Sequence, residues 1–304
     1  MLITQSAGKF LKRKRTINLG GDLLDFTDPC IMGIINVTPD SFSGDGLLKQ
    51  KDAVGKALEQ ARRFKTAGAH ILDIGAESTR PGANPVGQEE ELERLLPVIQ
   101  ALVTEDLGIP LSLDTYKAPV AEAGLKVGID WINDIWGLKA DPRMAGIVHK
   151  YDVPVILMHN RSQPANPELA MKLSAYPLGT DYQDLIRDVE NELLQSVALA
   201  HAAGIPDDLI ILDPGIGFGK TVEQNLELVA RLDDICTLGY PVLLGPSRKS
   251  FIGKTLDLPP DQRLEGTAAA VAVGIVRGAD ILRVHDVESM LRVVRMTDAI
   301  VRRH

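Results

Sequence analysis

Cysteine is scarce in this 304-residue chain, which has only Cys30 and Cys236. Two thiols cannot build a disulfide framework or a thiolate metal cluster, so the expected setting is the reducing cytoplasm. Long apolar runs are missing as well. No window approaches the ~18 consecutive apolar residues that a membrane-spanning helix needs, and the N-terminus lacks the apolar core of a signal peptide, so no membrane partner is expected. Nor does positive charge predominate, since 41 Asp and Glu outnumber 33 Lys and Arg for a formal net charge of −8. That balance argues against a nucleic-acid partner, whose phosphates select a basic surface. An anionic ligand would need a local basic pocket.

What the chain does have is a repeated unit. Short apolar runs at 31–36, 71–75, 111–114, 131–133, 153–159, 209–213, 242–245 and 280–286 each end in a polar residue or Gly. Segments with helical apolar spacing follow at 51–67, 89–102, 119–127, 141–151, 184–203, 222–232, 264–277 and 289–301. Gly68, Gly128, Gly204, Gly239 and Gly278 stand just past helix ends, where left-handed caps are expected. Eight strand-helix pairs predict an α/β protein of the (β/α)8 TIM-barrel class, ahead of a doubly wound open sheet. The barrel is expected as a single domain over 29–304. Residues 1–28, with the basic run Lys12-Arg13-Lys14-Arg15 and then Gly20-Gly21, read as an N-terminal arm and turn.

Parallel strands buried on both faces have little use for charge, so polar residues at their carboxyl ends mark a site. Asn36 ends the first strand, where its carboxamide suits a hard cation such as Mg2+ or a phosphate. Asp114, Asn133 and Asp213 end three others. Each is also a good helix cap, but converging in a barrel mouth they would make a hydrogen-bonding floor for a flat heterocycle rich in N–H donors. Ser247-Arg248-Lys249-Ser250 follows the seventh strand and Arg283 and His285 end the eighth, the region where barrels commonly bind phosphate. The run Asp213-Pro214-Gly215-Ile216-Gly217-Phe218-Gly219-Lys220-Thr221 ends like a P-loop, but Pro214 stands where that motif needs Gly. Gly217 suits backbone approach to a ligand instead, with Phe218 as an apolar wall. Three connections, 37–50, 76–88 and 160–183, exceed simple linkage and read as binding loops. Arg80, presented by the second of them, suits phosphate or carboxylate. His159 reads as structural.

Taken in order, Met32-Gly33-Ile34-Ile35-Asn36-Val37-Thr38-Pro39-Asp40-Ser41-Phe42-Ser43, Glu77-Ser78-Thr79-Arg80-Pro81-Gly82, Asn133-Asp134-Ile135, Leu157-Met158-His159, Leu212-Asp213-Pro214-Gly215, Ser247-Arg248-Lys249-Ser250 and Arg283-Val284-His285-Asp286 resemble the dihydropteroate synthases of folate biosynthesis. The resemblance implies a cytoplasmic homodimeric barrel, the target of sulfonamides. It would condense 6-hydroxymethyl-7,8-dihydropterin diphosphate with 4-aminobenzoate, releasing pyrophosphate. By motif, Asp114, Asn133, Asp213, Met158 and Lys249 would hold the pterin and Arg283 would stack on it. Asn36, Arg283 and His285 would take the diphosphate, with Mg2+ on Asn36. Phe42, Thr79, Arg80 and Pro81 would lie near the aminobenzoate, beside Gly217, Phe218 and Ser250. A pterin-binding methyltransferase barrel working with a corrinoid is the alternative; it has no need of the cationic rim.

Overall fold

The computed structural model describes residues 16–37, 48–77, 85–164 and 166–301. Ten strands and eleven α-helices alternate among them. An antiparallel hairpin, β1 (Thr16–Leu19) and β2 (Asp22–Asp25), comes first. The barrel follows as β3 (Cys30–Asn36), α1 (Leu48–Ala67), β4 (Ile71–Gly75), α2 (Gln88–Glu105), β5 (Leu111–Asp114), α3 (Ala118–Val127), β6 (Trp131–Asp134), α4 (Met144–Tyr151) and β7 (Val155–Met158). It continues through α5 (Pro167–Lys172), α6 (Leu185–Ala202), β8 (Ile210–Asp213), α7 (Val222–Ala230), α8 (Leu232–Cys236), β9 (Leu243–Leu244), α9 (Ser250–Leu256), α10 (Leu264–Val276), β10 (Ile281–Val284) and α11 (Val287–Val301).

Strands β3 to β10 form one parallel sheet in the order β8-β7-β6-β5-β4-β3-β10-β9. A parallel bridge between Leu212 and Val242, with Leu212 N–H donating to Pro241 O at 2.9 Å, joins the two edges. The eight-stranded barrel expected from the repeat is therefore present. All five anticipated cap glycines have φ between 90° and 122°.

The alternation of side chains along each strand sorts the core into two parts. Leu72, Ile74, Leu113, Ile132, Val155, Leu157, Ile210, Leu212, Leu244, Leu282 and Val284 pack outward against the helices in one apolar cluster. The alternate residues at the strand starts, Met32, Ile71, Trp131, Ile156, Ile211, Leu243 and Ile281, pack on each other inside the barrel. Ile17 and Phe26, both fully buried, close that inner layer from below. The segment read from sequence as an arm and turn thus holds two strands. Gly20 and Gly21, at φ 61° and 101°, make the tight reversal that a two-residue hairpin requires.

Three short helices were not expected. α5 lies in the long 160–183 connection, its first turn capped by Asn166 Oδ1 on the Glu168 N–H at 2.8 Å. The segment 222–232 divides at Arg231 into α7 and α8, and α9 follows Lys249 directly. The seventh barrel strand is also shorter than expected, two residues rather than four.

Candidate active site

On four strands a step of two residues carries the inner face from apolar to polar: Ile71 is followed by Asp73, Trp131 by Asn133, Ile211 by Asp213 and Ile281 by Arg283. Asp114 on β5 and Met158 on β7 stand at the same second level. Four of these second-level residues meet directly. Arg283 donates from Nε to Asp73 Oδ2 and from Nη2 to Asp114 Oδ2, both at 2.6 Å. Asn133 Nδ2 donates to the same Asp73 oxygen at 3.1 Å. Burial pushes the Asp114 carboxyl up to about 7 against the opposing pull of Arg283. Burial would lower the Arg283 pKa, but the two carboxylates outweigh it and hold the guanidinium charged.

Asp213 and Lys249 stand beside this cluster. Asp213 Oδ1 accepts the Gly215 N–H at 2.7 Å, a turn within the loop and not the helix cap that was the competing reading, since Thr221 caps α7. Its carboxyl pKa is raised by burial and pulled back by Lys249. Lys249 donates to Ile216 O and lies 4.5 Å over the Phe218 ring. Burial brings its ammonium down to about 8 despite Asp213. Arg248, in contrast, turns away to a paired contact with Asp286, Nε to Oδ2 at 2.8 Å. Its left-handed backbone, φ 57°, is held by Thr267 Oγ1 on its N–H at 3.0 Å and by Arg263 Nη1 on its carbonyl at 3.0 Å.

The loop 213–221 is seated on a polar network that includes His159, expected to be structural, and three residues the sequence did not single out, Arg161, Tyr182 and Glu192. Lys220 Nζ donates to Gly215 O at 2.9 Å and Phe218 O at 3.0 Å, and lies 2.9 Å from His159 Nδ1. Burial lowers its pKa to about 7. His159 Nε2 is 3.1 Å from Glu192 Oε2, and burial lowers the pKa of the ring to about 3, which keeps it neutral. Arg161 completes the set on Glu192, Nε to Oε1 at 3.0 Å, with its guanidinium 3.9 Å from the Tyr182 ring centre. Tyr182 Oη reaches Gly219 O at 2.9 Å. A Cβ at Gly215 would overlap the carbonyl oxygen of His159, which is why the chain needs glycine at this crossing. The network presents Phe218 to a small apolar group with Met158, Ile135 and Trp136.

A cavity of about 530 Å3 opens above, lined among others by Asp114, Tyr116, Gly217, Phe218, Lys220 and Ser250. Asp114 belongs to both the cavity wall and the Asp73–Arg283 cluster. On the rim His285 meets Ser247 Oγ through its N–H at 3.2 Å and through Nδ1 at 3.1 Å. Asn36 ends β3 opposite Gly75. At the stem of the second long loop Lys117 bridges Glu77 and the buried Glu91. Burial raises the Glu91 carboxyl, and Lys117 opposes the rise. The expected contacts Phe42, Thr79, Arg80 and Pro81 lie outside the described residues.

A sequence profile of pterin binding enzymes matches residues 32–285. Dihydropteroate synthase of Bacillus subtilis is 50% identical over 269 residues, 88% of this chain and 87% of that protein. The chain belongs to the dihydropteroate synthase family. Two solved dihydropteroate synthases of Xanthomonas albilineans superpose well. One, with 4-aminobenzoic acid, gives a TM-score of 0.84 at 38% identity over 95% of this chain and 99% of that one. The other, in complex with 7,8-dihydropteroate, gives 0.81 at 37% identity over 95% and 100%. The methyltransferase alternative is not favoured. No helix among the described residues is long and apolar enough to cross a membrane.

Proposed function

We propose that this chain performs its family's transferase reaction with the strand-end residues as its machinery. The pterin would lie on Asp114, Asn133 and Asp213, whose oxygens accept its N–H donors, with Lys249 at its edge and Met158 beneath. Arg283 would leave Asp114 to lie over the ring. His285 and Arg283 would bind the diphosphate. The methylene–oxygen bond of the hydroxymethyl diphosphate then breaks, and the electron pair leaves on pyrophosphate. The amine of 4-aminobenzoate attacks the methylene carbon, forms the new C–N bond and loses a proton, giving 7,8-dihydropteroate. The observation that carries this reading is one guanidinium clamped between two floor carboxylates, because the same group can serve ring and leaving group.

Mg2+ is the ion this reading implies. Among the described residues no group of three or more His, Cys, Asp or Glu could hold a metal, so the ion would take its oxygens mainly from the diphosphate and water, with Asn36 as its protein ligand. That sparse set suits Mg2+, which keeps several waters. When bound it would neutralise charge on the leaving pyrophosphate.

The aminobenzoate would sit against Phe218, Gly217 and Ser250 under Phe42, Thr79, Arg80 and Pro81. Because those last contacts come from long loops and the floor from strands, binding should be ordered, pterin first. We place the protein in the cytoplasm, in keeping with its two buried cysteine thiols. We also propose a homodimer, supported by the exposed Val273 and Val276 of α10 and Met296 and Ile300 of α11. Pyrophosphate release that depends on both substrates and on Mg2+ tests the reaction, and no release by the folded chain refutes it. Calorimetry tests the order: a sulfonamide should bind tightly only after pterin and pyrophosphate, and equal affinity for the empty chain refutes ordered binding alone.

A further inference from the structure

One carboxylate oxygen holds two of the side chains that the proposed reaction uses. Asp73 is fully buried on β4. Its Oδ2 accepts from Arg283 Nε at 2.6 Å and from Asn133 Nδ2 at 3.1 Å. An oxygen that already takes a guanidinium N–H serves as an acceptor, so the Asn133 amide turns its NH2 to Asp73. The amide oxygen is thereby committed to the opposite direction. Asn133 Oδ1 is buried and has no hydrogen-bond partner among the described residues. Buried acceptors are nearly always satisfied, so an unmet one on the floor of a binding site marks where a ligand donor belongs.

We propose that Asp73 is a positioning residue for pterin recognition: it locks the Asn133 amide so that an acceptor oxygen, and not the NH2 group, faces the bound ring. The proposal rests on the pterin reading of this site. It assigns Asp73 a second task, since the same oxygen anchors Arg283 while Asp114 is released to the ligand. Without the lock the amide could rotate, and half of its orientations would confront ring N–H groups with a donor. Selectivity for a heterocycle that donates at this edge therefore originates two strands away from the atom that contacts it.

The probe is 6-hydroxymethylpterin, titrated into the full chain. D73N keeps the shape and removes the obligatory acceptor, so affinity should fall by roughly 10- to 100-fold, the scale of a hydrogen bond to a charged group. The exchange D73N/N133D reverses donor and acceptor across the two strands and still leaves an acceptor facing the ring, so it should recover most of that loss. Binding by D73N equal to the native chain overturns the proposal. So does an exchange variant that is folded by thermal melting yet binds no better than D73N, the result expected if Asp73 served only Arg283 or touched the ring itself. Should either variant fail to fold, isotope labelling of asparagine in the native chain decides the matter by NMR. The Asn133 Nδ2 protons should exchange slowly with water before and after 6-hydroxymethylpterin is added, and fast exchange in the free chain overturns the lock. A native chain that binds no 6-hydroxymethylpterin refutes the pterin reading instead.

Discussion

The two ends of the barrel interior differ by a single step of the strand repeat. At the lower end Ile71, Trp131, Ile156, Ile211 and Ile281 pack on Ile17 and Phe26 with no charge among them. Two residues further on, the same strands offer Asp73, Asn133, Asp213 and Arg283. Burial of an Ile or Leu contributes about 1.5–3 kcal/mol each, whereas buried ion pairs roughly break even against their desolvation. The difference teaches that stability is concentrated below and chemistry above, along one set of backbones. A charged level is tolerable because every charge in it faces an opposite one over an apolar base.

Perturbing each end should separate these roles. The largest effect is expected from Arg283→Ala, which strands Asp73 and Asp114 without their cation. Stability should fall by about 3–5 kcal/mol in denaturant titration, the usual cost of breaking a buried pair, and pyrophosphate release should be lost. Ile17→Ala at the other end should cost about 2–4 kcal/mol of stability while turnover per folded molecule stays unchanged; a fall in turnover would mean that the ends are coupled. Asp114→Asn and Asp213→Asn should each weaken 6-hydroxymethylpterin binding by about 1.5–3 kcal/mol with little change in melting temperature. Unaltered affinity in both would mean that neither carboxylate touches the pterin.

The smallest effects are those of pH. The Asp114 pKa is raised to about 7, so the folded chain takes up this proton earlier than the unfolded one as pH falls. Asp114 thus favours folding slightly as pH drops from about 7 toward 4, yet pterin affinity should weaken over the same window because the protonated carboxyl loses an acceptor. His159 works the other way. Its pKa is depressed from 6.5 to about 3, so it stabilises the fold above 6.5 and that contribution is lost as pH falls toward 3. His159→Gln should flatten the acid limb of stability against pH; an unchanged limb would show that another group controls it.

How much of this could be read in advance depends on where each residue sits in its repeat. Asp114, Asn133 and Asp213 were legible because each ends an apolar run. Asp73 was not, because it is embedded in Ile71-Leu72-Asp73-Ile74-Gly75, which reads as a continuous strand; only counting in twos from Ile71 puts it on the inner face. Glu192 is similarly hidden on the buried side of α6, in register with Val189 and Ser196. Lys220 was set aside with the P-loop look-alike it terminates, although its work is to hold that loop. The hairpin went unread because the basic run before it dominated the composition, while its signal was the Gly20-Gly21 pair between two short alternating segments.

That hairpin has a consequence for traffic. With Ile17 and Phe26 filling the lower opening, the barrel is a vessel with one door, and whatever enters by the mouth must leave by it. On the proposed reaction two substrates and two products share that passage, so the last molecule in blocks the first one out. Departure through the loop-rimmed opening, and not the bond-making step on the floor, is then the natural place for the rate to be set.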